Sequence, residues 1–154
     1  MPQSKQVVAT YRANFTARMV NAFVSFFLKV GVKFGSTALL TVKGRKTGVP
    51  HTNPVLVVQY DEQRYLIAAY GTVNWVRNLR VSREATLFHD KHSEVIAASE
   101  ISPQEAGPIL KLGLASYPSI TRSYFQAKVD SPIEEFQADA TRHPVFKISD
   151  SRSK

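Results

Sequence analysis

Cysteine is absent from this chain of 154 residues. A disulfide framework, a thiolate metal site, an iron–sulfur cluster and a cysteine nucleophile are therefore excluded. Acidic residues are also missing from the start of the chain, where Asp61 is the first. Residues 1–50 carry eight basic side chains: Lys5, Arg12, Arg18, Lys29, Lys33, Lys43, Arg45 and Lys46. The whole chain holds 20 Lys and Arg against 12 Asp and Glu, so its net charge of +8 comes entirely from the first third. A field that one-sided favours an anionic partner such as a phosphorylated ligand or a lipid surface. Long apolar runs are lacking too. Met19–Phe34 is rich in Phe and Val but is broken by Asn21, Ser25, Lys29 and Lys33. That pattern argues against a spanning helix or a secretory signal and predicts a cytoplasmic protein. With 44% hydrophobic and 21% charged residues, the composition is globular and not disordered. A single domain over residues 1–154 is expected, because a chain this long hides roughly two thirds of its surface on folding.

The first element expected is a helix within residues 1–34. Its polar members recur every fourth residue, and Phe15, Met19, Phe23, Phe26 and Phe27 fill the rest of its surface. The plain reading is a helix laid on the core; the sharper one is peripheral membrane contact through residues 15–34. Beyond Gly35-Ser36 the period changes. Residues 37–101 read as strands with one short helix: Thr37–Lys43, Val49–Tyr60, Arg64–Tyr70, a helix over Val73–Ser82, then Glu84–His89 and Ser93–Ile101. Pro50 and Pro54 assign the start of the second strand to an edge or a bulge. Residues 102–149 read as two helices and a possible last strand. Ser102-Pro103-Gln104-Glu105 and Ser131-Pro132-Ile133-Glu134 both look like capped helix starts, and Val145–Ile148 suits a strand. Five to six antiparallel strands with peripheral helices define an α+β fold, and closure into a small barrel would remove exposed edges.

Few residue constellations offer chemistry. His51, His89, His92 and His143 have no companion carboxylates at ligand spacing, so no metal is expected. No G-x-S-x-G and no paired mid-chain carboxylates are present, which speaks against a hydrolase. Nucleic acid is not expected either, because the aromatics of the basic third lie along one helix face and do not form a stacking platform. The segment Gly44-Arg45-Lys46-Thr47-Gly48 stands out. Two glycines permit a tight turn between strands, while a guanidinium, an ammonium and a hydroxyl lie between them. That combination suits phosphate, although charged hairpin turns are also common without any ligand.

Three segments in order resemble the deazaflavin-dependent nitroreductase family of split-barrel oxidoreductases. Leu39–Gly48 is similar to the family's strand and Gly-Arg-Lys-Thr/Ser-Gly turn. Pro50-His51-Thr52-Asn53-Pro54-Val55 resembles the strand that follows. Asn74-Trp75-Val76-Arg77-Asn78-Leu79 resembles its Trp-x-x-Asn-Leu helix, and His143-Pro144-Val145-Phe146 looks like the ending of one branch. The resemblance implies a split β-barrel and the cofactor F420, with FMN as the alternative. It implies that Arg45 and Lys46 hold the cofactor's phosphodiester with help from Thr47 and His51. It further implies that Pro54 and Val55 line the deazaflavin ring by backbone, while Trp75 and Asn78 wall and place it.

The function expected on this basis is hydride transfer from reduced F420 to a small electron-poor acceptor: an enone, a quinone or a nitro compound. Tyr70, Tyr117 and Tyr124 are the candidate proton donors, each equally readable as a packing or rim residue. The alternative is a binder of a lipid-like or other hydrophobic anion on the same fold. It is prompted by the short loop Tyr70-Gly71-Thr72-Val73 and the Phe-rich first helix.

Overall fold

The computed structural model describes residues 37–89, 91–117 and 119–150. The expected first helix and its membrane contact lie outside these residues. Within them, alternation of inward and outward side chains builds a barrel with a second apolar layer on one flank. The strands are β1 (Thr37–Lys43), β2 (Pro50–Tyr60), β3 (Gln63–Ile67), β4 (Glu84–His89), β5 (His92–Glu100) and β6 (Val145–Asp150). They close in the order β1-β2-β3-β6-β5-β4, every pairing antiparallel. The helices are α1 (Asn74–Ser82), α2 (Pro103–Leu114), the four-residue α3 (Ser119–Arg122) and α4 (Ile133–Asp139). Among the described residues no helix is long and apolar enough to cross a membrane.

Leu40 and Val42 of β1, Val55 of β2, Leu66 of β3, Leu87 of β4, Ile96 of β5 and Phe146 and Ile148 of β6 form the interior cluster. Trp75, Val76 and Leu79 of α1 join it. Their neighbours along β2, β3 and β6 point the other way. Leu56, Val58, Ile67 and Val145 pack with Ile109, Leu110 and Leu114 of α2 and Phe136 of α4. Period-two alternation thus feeds two cores from single strands. Each large side chain buried in them contributes about 1.5–3 kcal/mol. Gly113 lets α2 approach the barrel, since a Cβ there would run into Cδ1 of Ile67.

The expected strands and long helices are found, with corrections at their ends. β3 stops at Ile67, so Ala68–Tyr70 belong to the connection into α1. The β2–β3 loop is shorter than expected. Tyr60 pairs with Gln63, and Asp61 and Glu62 turn the chain with φ of 50° and 65°. Arg83, the α1 C-cap, and Lys91, in the β4–β5 loop, are likewise left-handed, with φ of 58° and 65°. Both prolines lie inside a continuous β2, with no bulge in its ladder to β1. The ladder to β3 begins only at Leu56. Pro50 and Pro54 therefore occupy the stretch where β2 has one partner strand, so their missing N–H groups break no second ladder. Ser102 caps α2 as expected, its Oγ accepting from the Glu105 N–H at 3.3 Å. Ser131 does not cap α4: Pro132 is the N-cap residue, and the Ser131 hydroxyl accepts from the Lys128 N–H at 2.8 Å.

Candidate functional site

The basic turn is held together mainly by its own backbone. The Gly44 N–H donates to the Val49 carbonyl at 2.8 Å, and the Gly48 N–H donates to the Gly44 carbonyl at 2.9 Å. Thr47 Oγ1 accepts from the Val49 N–H at 3.2 Å. Gly48 has φ of +74°, which most side chains resist. A Cβ on Gly44 would lie 3.0 Å from the Val49 carbonyl oxygen, 3.1 Å from Thr47 Oγ1 and 3.4 Å from His51 Nε2. His51, which sits opposite Val42 in the β1–β2 ladder, thus closes on the turn from the neighbouring strand. Arg45, Lys46, Thr47 and His51 are all exposed.

Asn78 joins this turn to α1. Its Oδ1 accepts from the Arg45 backbone N–H at 3.1 Å and from Nη1 of the Arg45 guanidinium at 2.8 Å. Asn78 itself is only 4% exposed. It follows Trp75 and Val76 on the buried side of α1, so a rigid helix sets its position. Trp75 lies in the interior cluster, its ring centroid 6.1 Å from that of Phe146, and closes the barrel interior. Pro54 is half-buried opposite Leu39, and the Val55 side chain points inward to the core.

The three tyrosines come from separate segments and meet in one cluster. The Tyr70 hydroxyl lies 3.1 Å from Thr121 Oγ1, and its ring makes an edge contact with Tyr124 at 4.9 Å. Tyr117 stacks with Phe125 at 6.1 Å, and Phe125 stacks on the His143 ring at 3.9 Å. The His143 ring nitrogens face two carbonyls, Nδ1 that of Ala68 at 3.1 Å and Nε2 that of Tyr124 at 3.0 Å. Burial, and secondarily the nearby Tyr70, push the Tyr117 phenol far above its ordinary range. Tyr70 and Tyr124 are about half exposed, at 54% and 56%. The buried Asp139 carboxylate accepts from the Ala127 N–H at 2.8 Å and from the Arg142 guanidinium, fixing the segment that carries Phe125.

Two groups therefore emerge from the expected residues. Arg45, Lys46, Thr47, His51 and Asn78 gather at the turn, and Tyr70, Tyr117 and Tyr124 gather beyond the N-terminal end of α1. Sequence reasoning missed Thr121, Phe125 and the central place of His143. The His143-Pro144 pair, ending a helix beside a strand, was the one signal pointing there. Among the described residues no three His, Asp or Glu side chains converge as a metal site would require.

A closed antiparallel six-stranded barrel with peripheral helices is a split-barrel α+β fold, and the cationic turn on one of its strand connections suits an anionic group. The family model of the F420H(2)-dependent quinone reductases matches residues 8–134, and the chain belongs to that family. It is an F420-dependent reductase, and its cofactor is coenzyme F420. The residues present fit that group: the turn offers two exposed cations and a hydroxyl, with Gly44 at a point where a Cβ would press on the Val49 carbonyl. The barrel is similar to that of an F420-H2 dependent reductase, with a TM-score of 0.51 and 18% identity over 77% of this chain and 97% of the other. It is also similar to a protein of unknown function from Agrobacterium tumefaciens, with a TM-score of 0.54 and 15% identity over 82% of this chain and 54% of the other. At such identities the likeness is one of fold. No curated protein matches the chain.

Proposed function

We propose that the protein reduces a quinone-class acceptor, holding F420 by the Gly44–Gly48 turn and protonating the acceptor from the tyrosine cluster. The convergence of Tyr70, Tyr117 and Tyr124 from three chain segments carries this reading. When bound, the reduced cofactor supplies the hydride. A quinone that accepts a hydride must also gain a proton to become a hydroquinone, and a phenol beside it can donate one. Tyr117 holds its proton too firmly for that role and serves as a neutral wall. Tyr70 is the better donor, since its side chain is half exposed and its hydroxyl pairs with Thr121, and the resulting phenolate recovers its proton from water. Arg45 and Lys46 grip the phosphodiester, with Thr47 and His51 beside them. Pro54 and Val55 present backbone to the ring, and Trp75 keeps the barrel interior dry behind it. The exposed rim of Tyr70, Ile120 and Tyr124 suits an apolar acceptor with a bulky tail. A lipid-like ligand shares that chemistry, and an acyl chain recovered from the purified protein would favour it.

The test is oxidation of reduced F420 in the presence of a soluble benzoquinone, an enone or a nitroaromatic. Fastest turnover is expected with the quinone, and Tyr70→Phe should lower kcat by about 10²-fold or more. Turnover confined to the nitroaromatic would overturn the quinone assignment, and wild-type kcat in Tyr70→Phe would overturn its role as donor.

A further inference from the structure

We infer that Asn78 is a positioning residue: a neutral tether that holds the Arg45 guanidinium in place without neutralising it. The inference rests on the reading that the turn binds the anionic end of F420. Two donors of Arg45, its backbone N–H and Nη1, end on the same Asn78 oxygen. The side chain is thereby folded back onto its own turn and closed into a ring through α1. Arg45 is exposed and stands beside the exposed Lys43 and Lys46, whose like charges would push a free guanidinium outward. An Asp in place of Asn78 could accept the same two hydrogen bonds and would make them stronger, because charge-assisted bonds exceed neutral ones. It would also cancel the positive charge of Arg45. An amide orders the cation and leaves its charge available to a ligand. The lack of acidic residues from position 37 to position 60 fits the same requirement. Asn78 thus acts on the cofactor through Arg45, and not as a pocket wall.

The experiment uses the full chain with F420 titrated at low and high salt, alongside thermal melting. Asn78→Asp keeps both acceptor positions, so it should melt as the wild type does. It should bind F420 about tenfold more weakly at low salt, and its affinity should depend less on salt. Asn78→Ala should also weaken binding but keep the wild-type salt dependence, because the charge remains. In an Arg45→Ala background, the neutral change Asn78→Ala should alter affinity by less than about twofold, since its route through the guanidinium is gone. The tether is overturned if folded Asn78→Asp binds with wild-type affinity and salt dependence. It is overturned equally if Asn78→Ala weakens binding as much without Arg45 as with it. Should Asn78→Asp fail to fold, Arg45→Lys decides: it keeps the charge but not the fork, so weaker binding with unchanged salt dependence supports the tether, and wild-type binding refutes it. Wild-type affinity in Arg45→Ala would instead remove the phosphate-binding reading itself, and the tether with it.

Discussion

The cationic turn and the tyrosine cluster use opposite means to place polar groups. At the turn, the charges stay in water, and the ordering group is a buried amide on a neighbouring helix. In the cluster, one phenol is drawn out of water, and the order comes from stacked rings, with His143 bridging two carbonyls. The turn can therefore be altered without disturbing a core, whereas the cluster is part of one. Functional groups embedded in packing are precise but fragile, and groups on a braced turn are replaceable.

The widest separation between the two regions should come from Phe125→Ala. Phe125 is 5% exposed and lies between Tyr117 and His143. Removing such a ring costs about 3–5 kcal/mol. Chemical denaturation should show that loss, with turnover falling as the cluster loosens. A denaturation midpoint equal to that of the wild type would make the cluster an appendage and not a core. The converse case is Arg45→Ala with Lys46→Ala. Stability should stay within about 0.5 kcal/mol, as usual for surface changes. F420 binding should weaken by about 1.5–3 kcal/mol or more, roughly 10- to 150-fold, if charge-assisted bonds are lost. Calorimetric titration beside a melting curve measures both. A double variant that stays folded and binds as tightly as the wild type would leave the turn without a ligand.

The smallest of the three effects concerns pH. The Tyr117 phenol is raised in the folded protein, so the unfolded chain releases its proton first as pH climbs. Stability from that difference is fully present below the unfolded value and is lost progressively above about pH 10, by about 1.4 kcal/mol per pH unit for one group. Tyr117→Phe should flatten that alkaline slope in urea titrations while leaving neutral stability nearly unchanged. An equally steep slope in the variant would assign it to other phenols, Tyr65 being also raised by burial.

The sequence and the structure agree best where information is local. The turn, α1 and most strand limits are legible in neighbouring residues, because glycine, β-branched runs and a three-residue apolar side of a helix act over a few positions. Family resemblance then supplied the cofactor, which composition alone narrowed only to an anion. The tyrosine cluster was named residue by residue but could not be seen as one place. Tyr70 lies 47 positions before Tyr117, and they meet only because β6 returns between β3 and β5, drawing His143 against Ala68. The contact between Asn78 and Arg45 was hidden for the same reason. The two lie 33 positions apart, and nothing in the helix pattern distinguishes an amide that walls a pocket from one that braces an arginine.

The left-handed residues Asp61, Glu62, Arg83 and Lys91 have a consequence for how this chain can evolve. Each holds a backbone conformation that glycine or asparagine adopts more readily, at a cost of about 1 kcal/mol or more. None belongs to the turn or to the tyrosine cluster. Glycine or asparagine at these positions would relieve that strain and raise stability without touching either group. Lineages that improve those corners gain headroom for destabilising changes near the acceptor, and new substrates can be explored from there.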